Sequence, residues 1–268
     1  MLTAAAVCPH PPLLVPEATG GRPASEDIAS LAALRQACDA AVAALFAASP
    51  DVLVVVGGAA RSERFPPDAP GSLQDYGVPF LIGAGDPVLP LSLTIGRWLL
   101  TRARLTRAPD AASAPDAASA PDAASAPDAA PAPDAAAAPA TALWGVAADS
   151  APDECQAFGA ELAGRAPSVA LLAMGDGPGR RARRAPNAPD PAADDYDDAV
   201  ARAFASADPA ALAALDPAAD AELFVAGRAA WQVMAGAMRA TPRPFQARLH
   251  YAGAPFEVSY YAASLRQR

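Results

Sequence analysis

The chain contains no lysine. All 20 of its basic residues are arginine, and only two histidines, His10 and His250, occur in 268 residues. The three cysteines, Cys8, Cys38 and Cys155, are odd in number and widely spaced. That argues against a disulfide framework and against the paired thiols of a structural zinc site. A reducing compartment is the simpler expectation. No Gly-x-Gly-x-x-Gly fingerprint and no Gly-x-x-x-x-Gly-Lys-Ser/Thr loop occurs, so the usual phosphate-cradling turns are missing. With two histidines and no serine in a Gly-x-Ser-x-Gly elbow, no Ser–His–Asp arrangement can be argued. No uninterrupted apolar run approaches the roughly 18 residues of a membrane span. No arginine precedes Arg22, so the start lacks the basic region of a secretory signal. The expected location is the cytoplasm.

Hydrophobic residues make up 53% of the chain, ample for a large core, although alanine inflates the figure. The net charge is −9. Five of the acidic residues, Asp110, Asp116, Asp122, Asp128 and Asp134, sit in one low-complexity segment that has no basic residue. Such acidity gives no support for binding nucleic acid or an anionic membrane.

Residues 2–8 read as a buried strand. Residues 26–47 read as a helix, with Ser25 as N-cap, Asp27 in the first turn, and Ile28, Leu31, Leu34, Ala41, Val42 and Leu45 at helical spacing. The run from Asp51 to Gly58 is continuously apolar and ends in glycines, as a central parallel strand does when both its faces are covered. Strand, helix and strand make a right-handed βαβ unit. A Pro- and Gly-rich loop is expected from Arg61 to Gly77, a short strand over Val78–Ile82 and a helix over Leu91–Arg104. Strands are predicted at Leu143–Ala148 and Ser168–Gly177, and helices at Pro152–Gly164, Asp194–Ala207, Pro209–Leu215 and Ala219–Arg239. The tail, Phe245 to Ala263, alternates around Gly253-Ala254-Pro255 and reads as a hairpin.

The fold class is therefore α/β: three layers, with a mostly parallel sheet between helices and a C-terminal β-hairpin. One domain over 1–268 is expected, interrupted at 108–140 by an Ala-Pro-Asp-Ala-Ala-Ser repeat. The repeat has no bulky apolar residue to bury and reads as a disordered insertion.

Ligands of open α/β sheets bind beyond the carboxyl ends of the strands. Three predicted strand ends carry distinctive residues: His10, Gly57-Gly58 and Asp176. Pro9 and Pro11 fix the backbone on either side of His10, which makes that turn stiff. His10 reads either as a turn histidine or as a ligand, and Asp176 either as a loop cap or as an acid/base group. Gly57-Gly58 reads as a tight turn or an anion nest. His250, within a strand, reads as structural or as an acid/base group. Arg180, Arg181, Arg183 and Arg184 form either a solvated loop or a grip on an anion.

Several segments together resemble the catalytic chains of the class III extradiol ring-cleavage dioxygenases and the MEMO-like proteins that share their fold. They are Cys8-Pro9-His10-Pro11-Pro12, Val54-Val55-Val56-Gly57-Gly58, Met174-Gly175-Asp176 with the proline-rich loop and Asp194-Asp195-Tyr196-Asp197 after it, the helix Gly227–Gly236, and Ala254-Pro255-Phe256-Glu257-Val258-Ser259-Tyr260. The alanine excess is similar to a divergent, high-GC bacterial branch of that group. The resemblance implies Fe(II) held by two histidines and a carboxylate or cysteine, with a further histidine as acid/base. His10 matches the first metal ligand. The second should follow Val56, where Gly57-Gly58-Ala59-Ala60 offers no ligating side chain. The acid/base histidine should follow Gly175-Asp176, where the chain reads Gly177-Pro178-Gly179. The last ligand should fall near Ala226-Gly227, with Glu222 a turn away.

With one of four positions filled, the expectation is a protein that has lost Fe(II) ring cleavage. It would act as a non-catalytic binding or scaffold protein, a pseudoenzyme with no cofactor. Its partner would be a small molecule or protein held in the cleft around His10 and Asp176, with no nucleic acid and no membrane. The resemblance also implies association of identical copies. The alternative is an active, iron-dependent oxidoreductase acting on catechol-type substrates. Its rearranged site would use His10 as metal ligand with Asp176 and His250 as catalytic groups, and Glu17 or Cys8 as further donors.

Overall fold

The structure, a computed structural model, describes residues 1–19, 26–107, 139–179 and 191–268. The repeat over 108–138, the arginines at 180, 181, 183 and 184, and the expected N-cap Ser25 lie outside the described residues. The first half comprises β1 (Leu2–Cys8), α1 (Glu26–Ala47), β2 (Val52–Ala59), β3 (Glu63–Phe65), β4 (Gly71–Ser72), β5 (Leu81–Ile82) and α2 (Leu91–Arg107). The second comprises β6 (Ala140–Ala147), α3 (Pro152–Ala163), β7 (Val169–Met174), α4 (Pro191–Ser206), α5 (Pro209–Ala213), α6 (Pro217–Leu223), α7 (Arg228–Arg239), β8 (Phe245–Gly253) and β9 (Tyr260–Gln267).

Seven strands form one sheet in the order β3-β6-β2-β7-β1-β9-β8. The central four, β6, β2, β7 and β1, pair in parallel. The edges are antiparallel: β3 lies against β6, and the hairpin β8–β9 lies against β1. The α/β architecture read from the sequence is thus the one the chain forms.

Side-chain alternation along each strand divides the core into two halves. Ala4, Ala6, Cys8, Leu53, Val55, Leu172 and Met174 pack against α1 and α2 on one face. Ala5, Val7, Val54, Val56, Leu171 and Ala173 pack against α3, α4 and α7 on the other. By length and composition alone α1 is apolar enough to cross a membrane over Ile28–Ala47. Its apolar stripe is used here in the core, with Leu31, Leu34, Cys38, Ala41, Val42 and Leu45 buried on the sheet.

On the other face α3 and α7 touch backbone to backbone. A Cβ at Gly159 would lie 1.9 Å from the carbonyl oxygen of Val233, and one at Gly236 would lie 2.1 Å from that of Gln156. Only glycine permits this approach.

The structure corrects several expectations. The helix predicted over Ala219–Arg239 is two, α6 and α7, because Phe224 takes a left-handed conformation (φ 57°) and the link to Gly227 leaves the helical path. Tertiary bonds replace the helical ones: Gly179 N donates to Leu223 O at 3.0 Å and Ala226 N to Asp176 O at 3.0 Å. The strand expected over Val78–Ile82 shrinks to β5, paired with β4. The Arg61–Gly77 loop contains β3, which closes the sheet edge against β6. Finally, β6 starts at Ala140, the last residue assigned to the insertion.

Candidate functional site

The chain leaves β1 toward the α1/α2 face, whereas the chain leaving β7 continues to α4 on the opposite face. Neighbouring strand ends with diverging connections are where open α/β sheets bind ligands. In the parallel register Cys8 lies opposite Met174, so two residues on, His10 meets Asp176. The main-chain N–H of His10 donates to Asp176 Oδ1 at 2.7 Å. The imidazole Nδ1 lies 3.5 Å from the same oxygen. That is too long for a good hydrogen bond, and buried Nδ1 has no hydrogen-bond partner among the described residues.

Strand β1 stops where Pro9 removes the next N–H, and its two neighbours close over the gap. Gly177 N donates to Ser259 O at 2.8 Å, and Ser259 N to Pro178 O at 3.1 Å. The start of β9 is held from the far side, since Ser259 Oγ and Tyr261 OH both donate to the Asp197 carboxylate at 2.5 Å. This brings Tyr260, the last residue of the Ala254–Tyr260 segment but not one of the expected site residues, beside Asp176. Burial pushes the Asp176 carboxyl above its ordinary range, opposed by the His10 charge and N–H. Burial first, then the Asp176 and Tyr251 charges, push the Tyr260 phenol upward, so it keeps its proton.

Gly175, between these groups, is needed for closeness. A Cβ there would lie 2.3 Å from Gly227 Cα and 2.8 Å from Trp231 Nε1. The α6–α7 link therefore packs directly on the end of β7. Trp231 is fully buried and its Nε1 has no hydrogen-bond partner among the described residues.

His250 is not part of this group. Its Nε2 meets Ser264 Oγ at 2.9 Å, and Ser264 lies opposite Ala6, four residues before His10 and so about 13 Å down the strand at ~3.3 Å per residue. Burial, then the charge of Arg248, lowers its pKa. Glu17 is exposed, and Cys8 is buried with its thiol 4.0 Å from Cys38 O.

Near these strand ends lies a pocket of about 330 Å³ lined by Gly58, Asp149, Asp220, Ala226 and Arg228 among others. Its polar wall is a buried ion pair. Arg228 Nε and Asp220 Oδ2 are 2.7 Å apart, although the oxygen lacks an aligned hydrogen bond. Tyr196 OH donates to Asp220 Oδ1 at 2.6 Å. The guanidinium also donates to Gln232 Oε1 at 2.8 Å, Ser150 O at 3.0 Å and Ala148 O. Burial pushes Asp220 up to about 6, against the pull of Tyr196 and Arg228. The pairing itself carries no sequence signal, because Asp220 and Arg228 lie on separate helices.

The residues around His10 do not fit the iron centre that the resemblance implies. A side chain at Gly57 would put its Cβ 2.5 Å from Ser92 Oγ, and Ser92 is fixed by its bond to Gly58 O at 2.7 Å. One at Gly177 would lie 2.8 Å from the Tyr261 ring and 2.9 Å from Ser259 Cβ. Glu222 is exposed on α6. Among the described residues no three of His, Cys, Asp and Glu gather as a metal-binding group.

The fold is similar to the crystal structure of an uncharacterized protein, JW3007, from Escherichia coli K12. The TM-score is 0.51 at 13% sequence identity, over 98% of this chain and 99% of that one. At that identity the likeness shows the shared fold alone. No family model and no curated protein matches the chain.

Proposed function

We propose that this chain is a diverged relative of the extradiol dioxygenases and MEMO-like proteins that no longer cleaves rings with iron. It binds a small molecule or protein in the crevice at His10 and Asp176. One observation carries the reading. In the two stretches where the resemblance calls for histidine, Gly57–Ala60 and Gly177–Gly179, no residue carries a ligating side chain, and neighbours crowd the first position of each: Ser92 over Gly57, and Tyr261 with Ser259 over Gly177. A single imidazole is then left, and iron affinity depends on several ligands preorganised together.

The competing reading keeps an oxidoreductase with a rebuilt non-heme iron site. What favours it is the proximity of His10 Nδ1 to Asp176 Oδ1, 3.5 Å. The two readings separate in an oxygen-uptake assay with catechol and anaerobically Fe(II)-loaded protein. Oxygen consumption no faster than iron alone is expected. Ring-opened product whose formation His10→Ala abolishes would overturn the proposal.

A further inference from the structure

Three polar side chains converge at the end of β1. Tyr260 packs with the α1/α2 half of the core. Cys8 and Met174 belong to the same half, and the Asp176 carboxyl lies near enough to Cys38 of α1 for its charge to act there. The bonds between Gly177–Pro178 and Ser259 set Tyr260 next to Asp176, and the His10 N–H bond sets His10 on its other side.

Each of the three has capacity that the protein leaves unused. His10 is 93% buried, given its 7% exposure, and its Nδ1 has no hydrogen-bond partner among the described residues. The bonds of Asp176 within the described residues all go to Oδ1 and the main chain, which leaves Oδ2 free. The Tyr260 hydroxyl has no hydrogen bond to any described residue, and Tyr260 is 4% exposed. Buried polar groups in folded proteins are nearly always paired. His10 Nδ1 is such an exception among the described residues, and the free Asp176 Oδ2 and Tyr260 hydroxyl beside it offer a ligand two further contacts.

We infer that His10, Asp176 and Tyr260 line one binding site for an uncharged small molecule that presents a hydrogen-bond donor and an acceptor side by side, as a primary carboxamide does. This rests on the reading of the crevice as a binding cleft. The phenol donates and Asp176 Oδ2 accepts, so the ligand must offer the complement of both. An anion would bring a second negative charge against the Asp176 carboxyl, and an ammonium group has no acceptor for the phenol. The site therefore selects neutral polar groups over carboxylates and amines.

The test is a titration of the full, metal-free chain with acetamide, followed by ¹H–¹⁵N NMR. Saturable shifts centred on the amides of His10, Asp176, Gly177 and Tyr260 are expected. Tyr260→Phe should weaken binding about five-fold or more, the loss of one net hydrogen bond. Asp176→Asn, a second variant that removes the free acceptor's charge, should also bind more weakly. His250→Ala should bind as the wild type does. Shifts that do not saturate, that spread over the surface, or that survive unchanged in Tyr260→Phe would overturn the site. Because metal is absent, iron uptake in a separate experiment would overturn the proposed function without altering this result. Missing acetamide shifts would remove this site without restoring iron.

Discussion

The main-chain N–H of His10 donates to the carboxylate of Asp176 across 2.7 Å, and so ties the end of β1 to the end of β7. The bond links the two strand ends from which the chain departs toward opposite faces of the sheet. Asp176 thereby has a structural task beside any chemical one, and the two can be separated by substitution.

Asp176→Asn keeps an acceptor for His10 but removes the charge. Burial holds the Asp176 carboxyl above its ordinary value in the folded chain. A raised folded value means that ionisation costs stability. The cost is absent below the unfolded pKa, grows as pH rises through the folded pKa, and persists above it. Urea unfolding should therefore show the Asp176→Asn variant at least as stable as the wild type at pH 7, with the difference fading toward about pH 4, near the ordinary carboxyl value. Asp176→Ala strands the His10 N–H and should cost about 1–3 kcal/mol. A marked loss in the Asp176→Asn variant at neutral pH would show that the charge itself is needed.

The Asp220–Arg228 pair should respond asymmetrically. Arginine cannot shed its proton, so Asp220→Leu leaves an uncompensated buried cation and should cost about 3–5 kcal/mol. Arg228→Met leaves an acid that can take up a proton and keep its bond to Tyr196. Its cost should be smaller in acid and should rise with pH. Asp220 sits at about 6 in the folded wild type, above the ordinary carboxyl value. The wild type should likewise lose some stability as pH climbs from about 4 through that value, by the linkage of folding to a raised carboxyl pKa. Chemical denaturation of both variants between about pH 4 and 8 checks this. Equal, pH-independent losses would contradict it.

Gly159→Ala or Gly236→Ala should push α3 from α7, because each new methyl would strike backbone. A loss of about 3 kcal/mol, at the upper end for overpacking, is expected in a thermal or urea melt. Gly164→Ala, whose Cβ would meet nothing nearer than 3.5 Å, is the matched control and should be near neutral.

Much of the frame was legible because local pattern and tertiary demand agreed. The apolar runs at Val52–Val56 and Val169–Met174 can serve only as covered central strands, and the spacing of Leu31, Leu34, Val42 and Leu45 needs a face to bury. The break between α6 and α7 was not legible. Phe224 adopts a left-handed conformation that its side chain disfavours, and it is stabilised by bonds to distant residues. The site was half legible. His10 and Asp176 stand at strand ends with proline and glycine around them. Tyr260 looks like any strand tyrosine, one of a Tyr260-Tyr261 pair whose members face opposite halves of the core. Only the closure of β9 over the end of β1 gives it a place. His250 shows the converse, a rare residue type that the register holds far from the strand ends.

The most direct test of the central claim is equilibrium binding of Fe(II) under anaerobic conditions, wild type against His10→Ala. Weak, sub-stoichiometric uptake, the same in both, is the expected result. One tightly held iron per chain, lost on substitution of His10, would contradict the account and return the protein to the iron-dependent oxygenases.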